Sequence, residues 1–384
     1  MGKIDELIKQ FCPDGVKKVP IGDVLDYEQP SKYIVKSTEY DNSYNIPVLT
    51  AGKGFLLGYT NEQTGVYAAS EENPTIIFDD FVTSFHWVDF PFKVKSSAMK
   101  MLTCKDKVNS FRFIYYAMCE IGFVAKEHSR HWISVYSKIE IPLPPLAIQK
   151  KIVEILDTFT GMIDNLQKEL EQRQKQFEYY REILFAKRHS ELKWEYIKNI
   201  ALNCYAGATP STKNKEYWEG GNIPWMSSGE VHQGQVLRVE GRITQKGYDH
   251  CSTKMVPRDS VVIALAGQGK TRGTVAITRI ELCTNQSICA IVPDKTKVLP
   301  DYLYYYLKGQ YFDLRRLSSG DGTRGGLNLK MINNYGIPIV SLGHQREIVE
   351  ILDTFEALIS NIKQEIELRQ KQYEYYREKL LTFE

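Results

Sequence analysis

The sequence predicts a duplicated α+β chain in which two mixed, strand-rich domains are joined by two long coiled-coil helices. Three observations carry this reading. Residues 149–182 (QKKIVEILDTFTGMIDNLQKELEQRQKQFEYYRE) recur as residues 345–378 (QREIVEILDTFEALISNIKQEIELRQKQYEYYRE), with 22 of 34 positions identical. Within each copy the large apolar residues advance by alternating steps of four and three, the 3.5-residue period of a coiled coil. The stretches between the copies are rich in turn residues and short apolar runs, and they begin and end alike.

The seam of the first copy is Ile152, Leu156, Phe159, Ile163, Leu166 and Leu170, continuing to Phe177, Tyr180 and Leu184. That of the second is Ile348, Leu352, Phe355, Ile359, Ile362 and Ile366, continuing to Tyr373, Tyr376 and Leu380. Arg173 and Arg369 interrupt the seam at the same slot. A polar residue there either fixes register at a cost in stability or snorkels to the edge. Helices of about 40 residues would run ~60 Å, and a seam that long needs a partner. The other copy is the economical one; the alternative is that each helix packs on its own domain. The charged outer positions Glu154, Asp157, Glu350 and Asp353 read as a solvated face or as a docking face for partners.

Taken in order, Ile4, Leu7, Ile8 and Phe11 have helical spacing and Pro13-Asp14-Gly15 stops them. Shifted by 176 positions this short helix aligns with Tyr180, Ile183 and Leu184, and VKKVPIGDVL at 16–25 matches LKWEYIKNIA at 192–201. The repeat unit is therefore a helical tail, a domain and a long helix, used twice. Its parts are a first domain at 1–145, a central helix at 146–189, a second domain at 190–341 and a distal helix at 342–384. Strands are expected at 45–52 and the similar 222–229, and at 75–78, 261–266 and 274–278; helices are expected at 110–121 and 301–317. Both domains end in proline punctuation, Ile141-Pro142-Leu143 and Ile337-Pro338-Ile339. Between these anchors the two sequences differ widely, as expected of two readers of two different things.

With 384 residues, 43 % hydrophobic and 25 % charged, the composition is that of a multidomain globular protein. No apolar run reaches the ~18 residues of a membrane helix, and the N-terminus does not resemble a signal peptide. A cytoplasmic protein is expected, with no membrane partner. The seven cysteines lack metal-ligand spacing, so free thiols and no metal are expected. Net charge is +2 overall, but residues 1–145 carry 16 Lys and Arg against 18 Asp and Glu (−2), whereas residues 190–341 carry 19 against 13 (+6). A polyanion surface would be a local patch, stronger in the second domain.

The run Ala264–Thr271 imitates a phosphate-binding loop, but the first required glycine is Ala264 and a strand-like run follows instead of a helix. It reads better as a basic hairpin tip that offers Gln268, Lys270 and Arg272 to phosphates or a groove. Residues 317–326 form a second glycine-rich loop holding Thr323 and Arg324. At the matching place in the first domain stand Lys126, His128, Arg130, His131 and Trp132, a mixture suited to phosphate contact and stacking. Lys53, Ser227 and Ser228, in the turns after the first strands, complete the candidate contacts. No catalytic motif or cofactor loop is present at useful strength, so the chain is expected not to be an enzyme. A bivalent coiled-coil adaptor that binds proteins, without a DNA role, is the alternative.

The closing junctions IPLPPLAIQKKIVEILD and IPIVSLGHQREIVEILD, the duplicated heptad helices and GATPSTKNKEYWEGGNIPWMSSGE at 207–230 resemble the specificity subunit of type I restriction-modification enzymes. The resemblance covers essentially the whole chain. It implies two pseudo-symmetric target-recognition domains held apart by two long antiparallel helices, each domain reading one half of a bipartite site in double-stranded DNA while the spacer fixes the unread gap. It also implies two modification (methyltransferase) subunits and restriction (translocase and nuclease) subunits as partners. S-adenosylmethionine, ATP and Mg would belong to those partners, with no cofactor in this chain. The second junction lacks the double proline of Pro144-Pro145, and a net −2 is low for a DNA-reading domain.

Overall fold

The computed structural model describes Glu6 and residues 10–52, 54–106, 108–186, 193–267, 270–318 and 326–383. Ile4, Leu7 and Ile8 of the expected N-terminal helix lie outside the described residues. The chain forms two compact units, Met1–Gln167 with Glu365–Glu384, and Lys168–Gln364. Each contains one domain and one end of each long helix, Leu146–Ala186 and Leu342–Leu381.

In the first unit, the strand Lys18–Pro20 pairs antiparallel with Glu140–Pro142 and so closes the domain at its two ends. A four-stranded antiparallel sheet runs in the order Leu25–Glu28, Met99–Cys104, Thr75–Asp79, Phe85–Val88. The second strand of a smaller sheet, Ile46–Leu49, lies between Leu56–Thr60 and a parallel neighbour, Lys93–Val94. The run Thr-Ile-Ile-Phe at 75–78 is buried throughout because it is a central strand covered on both faces. The helix Phe111–Glu120 is capped by Ser110, whose side chain accepts from the Phe113 amide.

The second unit repeats this plan. Lys193–Tyr196 pairs antiparallel with Gly336–Ile339, and the large sheet runs Ala201–Ala206, Ile288–Pro293, Val261–Ala264, Val275–Thr278, with Gln235–Val236 added at the edge. The small sheet again centres on one strand, Ile223–Met226, with one antiparallel and one parallel neighbour, Arg242–Ile243 and Cys283–Thr284. The interiors, unlike in sequence, thus share strand order, because topology follows apolar patterning more than residue identity. The single helix expected over 301–317 is two, Pro300–Gly309 and Tyr311–Leu317, broken at Gln310. A Cβ at Gly309 would stand 2.8 Å from Nε of the flexible Arg181 side chain.

The antiparallel pairing of the long helices is visible inside each unit. In the first, Phe159 stacks on Tyr376 at 5.3 Å; in the second, Tyr180 stacks on Phe355 at 5.2 Å. These are the same pair exchanged by the repeat. The seam also completes the domain cores: Ile152 and Leu156 are buried with Phe113, Tyr116, Ile141 and Leu380, and Leu352 with Phe177, Tyr302 and Ile337. Both arrangements weighed from the sequence therefore coexist. Ile163 and Ile366 are buried, and Leu166, Leu170, Ile348, Ile359 and Ile362 half-buried. Arg173 and Arg369 are half-buried and bond within their own helices, to Glu169 and Gln176, and to Glu365 and Gln372.

Each domain is fastened to a long helix by duplicated polar contacts. The buried Gln149 accepts from the Ser110 amide (2.8 Å) and donates to the Pro144 carbonyl (2.8 Å) and Asn109 Oδ1 (3.0 Å). Its repeat mate Gln345 accepts from the Leu299 amide (2.8 Å) and donates to the carbonyls of Val340 (2.9 Å) and Lys297 (3.1 Å). About two turns further along the long helix, the Tyr116 hydroxyl donates to Asp157 Oδ1 (2.5 Å) and the Tyr305 hydroxyl to Asp353 Oδ1 (2.6 Å). Asp157 and Asp353 are therefore bonded to their own domains, although Asp157 keeps 43 % of its side chain exposed and Asp353 is exposed. Their amphipathic position beside the seam residues Leu156 and Leu352 turns them toward the domain helix.

Candidate nucleic-acid interface

In the first domain the turn between the strands Thr75–Asp79 and Phe85–Val88 is built by local hydrogen bonds. Asp79 Oδ1 accepts from the amides of Phe81 (2.8 Å) and Val82 (3.0 Å), and Thr83 takes the left-handed conformation (φ 58°). This presents Val82 at 57 % exposure. Beneath it, Asp80 and Lys100 form an ion pair at 3.1 Å with both side chains only 2 % exposed. Asp80 also accepts from the Trp132 amide (2.8 Å), and its carbonyl from the His131 amide (2.8 Å). The acidic side chain thereby ties the hairpin tip to the loop that follows the domain helix.

That loop lays His128 on the Phe81 ring at 4.7 Å, with Arg130 beside the same ring. Lys126, His128 and Arg130 are exposed. His131 is buried against Asp80 and Phe123, so its proposed DNA contact is corrected to an internal one. Trp132 is likewise core, stacked on Tyr136. The turn after the first strand joins the same edge, since Ser84 donates to the Ala51 carbonyl (2.5 Å) and His86 lies 3.1 Å from that of Gly52. Lys53 lies outside the described residues.

The second domain assembles the corresponding edge from a longer hairpin and a brace. Lys270 is exposed at the tip, and its carbonyl accepts from the Tyr311 hydroxyl (3.0 Å) and from Thr274 (3.1 Å). Arg315 donates to the Arg272 carbonyl (3.3 Å), and the Leu327 amide to that of Leu265 (2.9 Å). Leu327, just after the second loop, thus pairs with Leu265 at the base of the first. Arg272 itself is buried at 8 % exposure, a second correction to a side chain expected to be offered at an exposed tip. Ser227 caps the short helix Ser228–Gln233, its hydroxyl bonded to Glu230 Oε2 at 3.0 Å, and Ser228 is half-buried in the first turn. Gln268, Thr323 and Arg324 lie outside the described residues.

Sequence reasoning missed Phe81, Val82, Asp80, Tyr311 and Arg315. The Asp79-Asp80-Phe81-Val82-Thr83 run between two apolar stretches was the available turn signal for the first three. The first edge is a hairpin tip joined to the loop after the domain helix, with Arg130 beside Phe81; in the second, the hairpin that carries Lys270 is braced by the helix Tyr311–Leu317. Such a surface can hold phosphates and approach base edges.

Comparison with known proteins gives one answer. The model of the type I restriction modification DNA specificity domain matches residues 13–173 and again 194–368. The chain is 41 % identical over 399 residues to the EcoR124I/EcoR124II type I restriction enzyme specificity subunit of Escherichia coli, covering all of this chain and 98 % of that one. It is 27 % identical to a putative type I specificity subunit of Haemophilus influenzae, over 95 % of this chain and 94 % of that one. The crystal structure of the S subunit of a type I restriction-modification system from M. genitalium shares the fold, with a TM-score of 0.63 at 18 % identity over 95 % of this chain and 96 % of that one. Two domain matches spanning most of the chain and a full-length relative at this identity show that the protein belongs to the family of type I restriction-modification DNA specificity subunits.

Proposed function

We propose that this chain reads a bipartite site in double-stranded DNA, one half with each domain, on behalf of partner subunits that methylate adenine or cleave. The observation that carries this reading is the pair of hairpin edges, presenting Arg130 and Lys270, on two domains whose large sheets share one four-strand order, the second with a fifth strand at its edge. Cations such as Lys126, Arg130 and Lys270 supply affinity and register through phosphates, while neighbouring side chains discriminate bases. The chain itself acts without catalysis or cofactor; S-adenosylmethionine, ATP and Mg serve the partner subunits, and the site of action is the cytoplasm.

Two modification subunits fit the duplication. Met162 and Tyr375 in the first unit, and their repeat mates Leu358 and Tyr179 in the second, are exposed apolar side chains on the long helices. Equivalent faces suit two copies of one partner. The test is co-expression with a modification subunit and single-molecule sequencing of host DNA for N6-methyladenine. Methylation confined to one bipartite motif with a fixed unread gap is expected. An assembled complex that leaves no sequence-specific methylation would overturn the reading in favour of a protein-binding adaptor.

A further inference from the structure

The two attachments between domain and helix differ in most of their chemistry. In the first, Arg112 pairs with Asp157 at 2.8 Å. In the second, the residue matching Arg112 is Asp301, which is bound to Arg279, and the cation is Lys308, bonded to Glu356 at 2.6 Å. Two contacts survive this exchange unchanged in kind: the glutamine clamp and the tyrosine–aspartate bond. Their persistence marks the part of the attachment that both domains need.

These contacts form a two-point anchor. Gln149 and Asp157 are eight residues apart, as are Gln345 and Asp353, or about 12 Å along the helix. Gln149 and Gln345 grip the first turn of the domain helix, whereas Tyr116 and Tyr305 hold it a turn and a half further on. One point permits rotation; two suppress both rotation and sliding. One base pair advances DNA by about 3.4 Å and turns it by about 35°. A bond of 2.5 or 2.6 Å does not survive such a displacement, since hydrogen bonding is lost beyond roughly 3.5 Å.

We propose that Asp157 with Tyr116, and Asp353 with Tyr305, are positioning residues that set how strictly the length of the unread gap is enforced. The proposal rests on the bipartite reading given above. Each domain must unlatch before it accepts a gap one base pair shorter or longer, so the latch makes the wrong spacing costly without touching DNA. The surface that reads bases lies on the hairpin and loop, and is untouched by the latch.

The experiment uses the full chain assembled with its modification subunits, on DNA carrying both half-sites with the gap at its natural length or one base pair off. Tyr305→Phe removes the donated proton and keeps the ring in the core. The expected result is that methylation at the off-length gaps, relative to the natural one, rises about tenfold, the effect of losing one charge-assisted hydrogen bond, while the half-site sequences stay the same. Asp353→Asn provides an independent variant should the first assemble poorly, and combining the two should add little. Tyr116→Phe should act likewise from the other domain. A rate that falls equally at all three gap lengths, or an altered half-site sequence, overturns the proposal. A parent complex with no bipartite motif at all would instead overturn the reading of function beneath it.

Discussion

The two candidate edges rest on the same strand order and are stiffened by opposite means. In the first domain a short tip is held from within, by the buried Asp80–Lys100 pair and the amide of Trp132. In the second, a longer tip is held from outside, by Tyr311 and Arg315 of a helix that follows the break at Gln310. Charge follows the same division, −2 for residues 1–145 and +6 for residues 190–341. The contrast teaches that the scaffold and its fastening are constant while the brace and charge of the reading surface are free to diverge. That is what a protein needs when two halves of a target must differ and their separation must not.

The comparison breaks most visibly at Asp80. Asp80→Asn leaves Lys100 charged and buried without its counter-ion, which costs about 3–5 kcal/mol. Hydrogen exchange should show the strands Thr75–Asp79 and Met99–Cys104 losing protection by that amount, with Val261–Ala264 and Ile288–Pro293 unchanged. Equal loss in both domains would mean that the first domain's brace also supports the second. In the second domain the described braces run from Tyr311 and Arg315 to backbone carbonyls, and removing the hydroxyl by Tyr311→Phe should cost a fraction as much, about 1 kcal/mol.

The fastenings, by contrast, should respond alike. Gln149→Ala and Gln345→Ala each strand a buried amide and two carbonyl or amide partners, so each should cost about 2–3 kcal/mol. Chemical denaturation of the two variants should give midpoints shifted by similar amounts. A difference larger than about 1 kcal/mol would show that the clamp is duplicated in sequence but not in strength.

How much of this the sequence discloses depends on the range of the forces involved. The long helices are legible because a 3.5-residue period sustained over five heptads outweighs any local ambiguity. The buried runs Thr75–Phe78 and Val261–Ala264 are legible because central strands are apolar without interruption. The break at Gln310 is not, since neither glutamine nor the apolar spacing around it signals a stop. The loop cations divide for the same reason: Lys126, Arg130 and Lys270 are exposed and Arg272 is buried, whereas His131 is drawn inward by Asp80, distant in sequence. Asp157 and Asp353 looked like outer charges because their tyrosines lie on a separate helix, although an identical aspartate beside the same seam leucine in both copies was a usable sign.

The smallest effect concerns the arginines that interrupt the seam. Their side chains are 38 % and 37 % exposed, and each bonds a glutamate four residues back on its own helix. Such pairs contribute about 0.3–0.5 kcal/mol, and the aliphatic stems already cover apolar surface. Arg173→Leu and Arg369→Leu therefore exchange a weak intrahelical pair for modest extra burial, and each should change stability by less than about 1 kcal/mol, most simply as a slight rise in melting temperature. If the arginines instead specify register, leucine would permit alternative alignments of the two helices, and the melt would broaden while the stacks of Phe159 on Tyr376 and Tyr180 on Phe355 loosened. The geometry favours the first outcome, because both guanidinium groups find their partners on the helix that carries them, and the aromatic stacks near either end already distinguish the native alignment from one shifted by a heptad.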